Sequence, residues 1–198
     1  MNPLLPFPAY RTVDLGERIQ RIRCLVLDVD GVLTDGRLYY TADGEDIKVF
    51  HVRDGSALKL WKMAGGWTVI LSGRSSLSLT RRAEELPVDL VRQGVADKAQ
   101  ALSEICTALR LERSEICAVG DDWLDIPLLR QVGVAAAPAD ACPEVLACVD
   151  FITPCRGGQG VVRDVVQWLL SRQGKWQTTL EQAWRESDGG KKKIEPSG

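Results

Sequence analysis

Residues 24–36 read Cys24-Leu25-Val26-Leu27-Asp28-Val29-Asp30-Gly31-Val32-Leu33-Thr34-Asp35-Gly36, an apolar run that breaks off into carboxylates and glycines. A short continuous apolar run bounded by turn residues reads as a β-strand buried on both faces. Asp28 and Asp30 stand two residues apart at its mouth, and the alternation of a strand puts i and i+2 on one side, a few Å from each other. Like charges that close repel, so the pair needs a cation or a shared proton. A solvated strand-end turn and a calcium loop are the alternatives. The calcium loop fails, because its next liganding position and its glycine fall on Val32 and Leu33.

Outward from this stretch the same kind of run recurs as WTVILS (67–72), VDLV (88–91), ICAVG (116–120) and VGVAAA (132–137), with helical patterns near 55–65, 76–86, 97–110, 122–131, 143–148 and 160–172 between and after them. Strands alternating with helices specify an α/β fold, a doubly wound parallel sheet with helices on both faces. One interval breaks the rhythm: residues 37–51 hold two β-rich arms around Asp43-Gly44, a hairpin signal. It follows the first strand where a helix would otherwise start, so it projects over the carboxyl end of the sheet as a β-hairpin flap. No insertion is long enough to form a cap domain.

The chain has 198 residues, 45% of them hydrophobic and 26% charged, which bounds it to one globular domain. That domain is expected over 21–176, after an N-terminal segment 1–20 and before a flexible tail 177–198, where the apolar rhythm fades. With 25 Lys+Arg against 27 Asp+Glu the formal charge is -2, which leaves no basic field for nucleic acid or an anionic membrane and makes a small molecule the expected partner. The six cysteines include no C-x-x-C pair, so neither zinc nor a disulfide framework is expected. The first eight residues hold three prolines and no Lys or Arg, unlike a signal peptide, and no run approaches the ~18–20 apolar residues of a membrane span, so a cytoplasmic setting is expected.

Further polar signals fall where successive strands end: Ser72-Gly73-Arg74, then Lys98 at the start of a helix, then Gly120-Asp121-Asp122 with Asp125. In an open α/β sheet the ligand sits outside those ends. Each residue alone has a plainer reading, Ser72 as a turn cap, Lys98 as an exposed helix lysine and Asp122 as a helix N-cap, yet their shared order converges on one place.

Together these residues resemble the haloacid dehalogenase superfamily of aspartate-nucleophile phosphatases, in the capless group typified by 3-deoxy-D-manno-octulosonate 8-phosphate phosphatase. The resemblance covers roughly 15–178 and is carried by DVDGVLTDG (28–36), FHVRDG (50–55), LSGRSS (71–76), Lys98, GDDWLDIP (120–127), VAAAPADACPEV (134–145), GGQGVVRDV (157–165) and RQGKW (172–176). It implies Asp28 as nucleophile and Asp30 as general acid and base, roles that the paired carboxylates permit chemically. Ser72 and Lys98 then hold the phosphoryl oxygens. The oxygen-only ligands select Mg²⁺, and by the resemblance they are the Asp28 and Asp121 carboxylates and the Asp30 carbonyl, backed by Asp122 and Asp125.

By the same carry-over the sugar acid is bound by Asp30, the segment His51, Val52, Arg53, Asp54 and Gly55, then Lys59, Arg74, Arg82 and Lys98. The plainer reading of Arg82 is an i,i+3 ion pair with Glu85, and His51, the one histidine, reads as a packing residue. Ala57 and Lys59 stand where the group usually has glycine and arginine, which leaves a nonulosonate 9-phosphate or another 2-keto-3-deoxy acid phosphate open as substrate. A non-catalytic assembly module, like the domains fused to some sialic-acid cytidylyltransferases, is the other alternative. The resemblance also implies a homotetramer built through the hairpins, with the segment after Gly157-Gly158-Gln159-Gly160 able to reach an adjacent site.

Overall fold

In the computed structural model, which describes residues 14–189, α1 (Leu15–Arg21) leads into β1 (Cys24–Leu27), a hairpin of β2 (Tyr39–Tyr40) and β3 (Asp46–Ile47), and α2 (Val52–Met63). Then follow β4 (Trp67–Leu71), α3 (Leu77–Glu85), β5 (Leu90–Arg92), α4 (Lys98–Leu109), β6 (Ile116–Val119), a 3-10 turn (Trp123–Asp125) running into α5 (Ile126–Leu129), and β7 (Val134–Ala137). The described chain ends with α6 (Pro143–Leu146), β8 (Phe151–Ile152), α7 (Val161–Arg172) and α8 (Trp176–Gly189).

Six strands form one parallel sheet in the order β5-β4-β1-β6-β7-β8. β1 lies inside it because all four of its residues are apolar and both faces are covered. Leu25 and Leu27 pack with Ile70, Val119 and Ala136 under α1, α2 and α7, while Cys24 and Val26 pack with Val69, Leu71 and Ala135 under α4 and α5. The alternation of side chains along each strand thus supplies two separate cores, one per face.

Both expected chain-end boundaries need correction. Across the expected boundary between segment 1–20 and the domain, Leu15–Arg21 is a helix of the domain: Ile19 is buried, and the Arg18 guanidinium donates to the Gly133 carbonyl at 2.7 Å and to Asp150 Oδ1 at 2.7 Å. Within the expected flexible tail 177–198, the chain stays helical to Gly189 as α8, and the rest lies outside the described residues. α8 docks by Trp176, Thr179, Leu180 and Ala183, at i, i+3, i+4 and i+7, with the Arg163 guanidinium 4.4 Å from the Trp176 ring. A buried threonine on that stripe, its hydroxyl donating to the Lys175 carbonyl at 2.8 Å, hides the helical period from a hydrophobicity count. The hairpin forms where Asp43-Gly44 places it, with Gly44 at φ +87°, but each strand is only two residues long.

Candidate active site

The chain runs outward from β1 through β4 to β5 and then crosses back to β6 on the other side of β1. This reversal opens a crevice at the carboxyl ends of β1 and β6, the place where such sheets bind ligands. Asp28 follows β1, Gly120-Asp121 follows β6, Ser72 follows β4, and Lys98 opens α4 after β5. Asp28, Asp121, Ser72 and Lys98 line one cavity of about 290 Å³, together with Asp30 and Arg74.

Lys98 Nζ lies 2.8 Å from Asp28 Oδ1 and also pairs with the buried Asp125. The exposed-lysine reading of Lys98 is thereby excluded, since its side chain is only 8% exposed. Asp125 is committed twice over: beyond Lys98, its Oδ2 accepts from the Asp121 and Asp122 amides at 3.1 and 3.3 Å, which tightens the turn after β6. Asp122 caps that turn by accepting from the Trp123 amide at 2.7 Å, as its plainer reading had it.

One ligand oxygen each from Asp28, Asp121 and Asp125 falls within 4.8 Å of the others. Burial, with the neighbouring carboxylates, pushes the Asp121 carboxyl up to about 8 and that of Asp28 to about 6, with Lys98 opposing both shifts. Asp121 Oδ1 is buried without a hydrogen-bond partner. Three carboxylates crowded around one ammonium, one of them with an uncommitted oxygen, fit a hard divalent cation. Asp125 is held by Lys98 and two amides and Asp28 by Lys98, so Asp121 is the least committed of the three.

Asp30 faces a different set. Lys48 Nζ contacts its Oδ1, and Arg74 Nε stands 3.9 Å from its Oδ2. Sequence reasoning missed Lys48. Its place two residues beyond Asp46 puts both side chains on one side of the hairpin arm but does not point to Asp30.

The expected sugar-binding residues of α2 do not line this cavity. His51 caps α2, its Nδ1 accepting from the Arg53 amide at 3.3 Å, while Val52, Arg53 and Lys59 are exposed. Arg82 forms the plainer ion pair, with Glu85 at 2.8 Å, and lies against Gly55, where a Cβ would meet its Nη2 at 2.9 Å. Ala57 is fully buried in the core. Gly157-Gly158-Gln159-Gly160 also packs inward, with the Gly158 amide donating to the Val32 carbonyl at 3.1 Å. The segment that follows it directly is α7, whose Val161, Val162, Val165 and Val166 fill this chain's own core.

Asp54 is buried and accepts from the Arg163 amide at 2.9 Å, so it caps α7 from another helix where Gly160 offers no side chain. Burial pushes its carboxyl up to about 6, against the Arg163 and Val162 amides that favour the charged form. The native state therefore holds the proton more tightly than the unfolded chain, and stability is lost as pH rises from the ordinary carboxylate range through about 6. Asp54→Asn keeps the accepting oxygen and removes the titration. Its melting temperature is expected to exceed the parent's at neutral pH, by a free energy of at most about 3 kcal/mol, and to vary less between about pH 4 and 6. Thermal melts across pH check this.

Comparison with known proteins extends this picture. Residues 88–164 match the family model of haloacid dehalogenase-like hydrolases. The chain is 36% identical over 164 residues to 3-deoxy-D-manno-octulosonate 8-phosphate phosphatase of Escherichia coli K12, covering 83% of this chain and 87% of that protein. The chain belongs to the 3-deoxy-D-manno-octulosonate 8-phosphate phosphatase family. Among solved phosphatases of this family, the Moraxella catarrhalis enzyme in complex with magnesium, phosphate and KDO superposes with a TM-score of 0.82 at 33% identity, over 85% of this chain and 97% of that one. The cobalt-bound phosphatase of Haemophilus influenzae gives 0.78 at 37% identity, over 80% and 93%. Both support a metal at the acidic cluster of this phosphatase-family site and the doubly wound fold without a cap domain.

Proposed function

We infer that the protein is a magnesium-dependent phosphatase acting on a phosphorylated 2-keto-3-deoxy sugar acid, 3-deoxy-D-manno-octulosonate 8-phosphate first among them, through a phosphoryl group carried on Asp28. The observation that carries this reading is the Asp28-Lys98-Asp121 constellation at the β1/β6 crevice of a chain in this family. The Asp28 and Asp121 carboxylates and the Asp30 carbonyl would hold a magnesium ion, which would supply charge neutralisation for the meeting of a carboxylate with a phosphate dianion.

Asp28 attacks phosphorus, so a bond from its carboxylate oxygen to phosphorus forms as the bond to the sugar oxygen breaks. As general acid and then base, Asp30 gives a proton to the leaving alcohol and takes one from the water that hydrolyses the acyl phosphate. Lys98, fixed by Asp125, and Ser72, whose Oγ accepts from the Arg74 amide at 3.1 Å, hold the phosphoryl oxygens as charge shifts. Arg74, on the cavity wall, offers a guanidinium to the sugar carboxylate.

The same reading includes a homotetramer in which neighbouring hairpins cover one another. Its support is the exposure of Leu38, Tyr40, Ile47 and Val49 on and beside the hairpin, an apolar patch that a lone chain leaves in water. No helix among the described residues is long and apolar enough to cross a membrane. A cytoplasmic setting fits the substrate class, because sugar phosphates are charged and stay where they are made.

Phosphate release decides the assignment. With magnesium present, octulosonate 8-phosphate is expected to be turned over faster than a nonulosonate 9-phosphate or simple hexose phosphates, and chelation is expected to stop all of them. Preference for a nonulosonate would move the substrate within the class, and release from none would leave the assembly-module reading.

A further inference from the structure

The hairpin is fastened to the site by both of its arms. On the first arm the Tyr40 hydroxyl accepts from Arg74 Nη2 at 3.0 Å. On the second, Asp46 Oδ1 accepts from the Ser76 hydroxyl at 3.0 Å, and the Asp46 carbonyl accepts from the Ser78 hydroxyl at 2.9 Å, which pins the arm to the first turn of α3. Lys48 follows directly. Its side chain is only 3% exposed, its Nζ contacts Asp30 Oδ1, and Asp46 Oδ2 lies 3.7 Å away. Arg74 Nε stands 3.9 Å from the other Asp30 oxygen. Asp30 itself sits in a turn beyond β1 with a side chain 20% exposed, so packing alone does not hold its carboxyl.

We propose that Lys48 is a positioning residue for Asp30, so that docking of the hairpin sets the carboxyl that protonates the leaving group. The inference rests on the aspartyl-phosphate reading above. A buried ammonium against one oxygen fixes the rotamer of the carboxyl, whose other oxygen lies 3.9 Å from Arg74 Nε on the cavity wall, where the departing alcohol must receive its proton. Burying Lys48 solely to anchor the hairpin is the competing explanation. The two separate on chemistry. Transfer of the phosphoryl group to Asp28 breaks the bond to the leaving oxygen, and an alkoxide leaving there needs the Asp30 proton, whereas p-nitrophenolate is stable enough to leave without it.

The experiment is kcat/KM for Lys48→Met and Lys48→Arg, which reports only the steps up to departure of the leaving group and not the later hydrolysis of the acyl phosphate, over octulosonate 8-phosphate, phenyl phosphate and p-nitrophenyl phosphate, with thermal melts alongside. Lys48→Met is expected to lower kcat/KM on the order of 10²-fold for the sugar phosphate, less for phenyl phosphate, and under about 3-fold for p-nitrophenyl phosphate. Lys48→Arg, which keeps a cation at Asp30, is expected to recover part of the loss. Equal losses on all three substrates, or no loss on any, would overturn the positioning role. Release from none of them by the parent enzyme would instead overturn the phosphatase reading, and the Lys48 role with it.

Discussion

An Asp28→Asn enzyme is expected to fold and to lose at least about 10⁴-fold in phosphate release from its sugar phosphate, about 5.5 kcal/mol of transition-state stabilisation. The loss is large because an amide oxygen cannot form the acyl phosphate, so the two-step route disappears and direct attack by water has no base set up for it. Folding should survive. Asp28 lies past the end of β1, it is one of three crowded carboxylates, and Lys98 keeps Asp125 as partner when it goes. A melting temperature within a few degrees of the parent's, beside the kinetic loss, is the expected pair of results.

Gly31→Ala should be nearly as damaging through sterics alone. Gly31 has φ +90°, where a side chain is strained, and a Cβ there would stand 2.0 Å from Asp121 Oδ2 and 2.4 Å from its Cγ. Relief requires moving either the loop that carries Asp30 or the Asp121 carboxylate, which is proposed to hold the metal. The expected outcome is a fall in kcat/KM of about 100-fold or more, weaker magnesium dependence in titrations, and a stability loss of roughly 1–3 kcal/mol. Gly44→Ala is the control. Its φ of +87° is similarly strained, but nothing lies within 4 Å of the added carbon, so it should lose stability and keep its rate.

The sheet and its crevice are legible in the sequence because each strand is a short apolar run ended by a polar residue, and parallel order puts those ends on one side. Asp28, Ser72, Lys98 and Asp121 can therefore be placed together before any coordinates are seen. Lys48 cannot. Its partner is 18 residues away on a different element, and only the docked hairpin brings the two together. α1 and α8 escape the pattern for another reason: each buries a single face, and polar residues, Arg18 and Thr179, take core positions through bonds the sequence does not display. Asp54 carries the same lesson. A carboxyl in an exposed-looking turn motif is spent on capping a helix that begins about a hundred residues later.

The central claim is that the phosphoryl group passes through Asp28, and acid quenching of a single turnover tests it most directly. With enzyme in excess over ³²P-labelled sugar phosphate and magnesium present, protein-bound label is expected to rise and decay before free phosphate reaches its plateau. Borohydride reduction of the quenched protein should convert Asp28, and no other aspartate, to homoserine in its peptide. Phosphate formed at the full rate with no label on the protein, or with label on any other residue, would contradict the account.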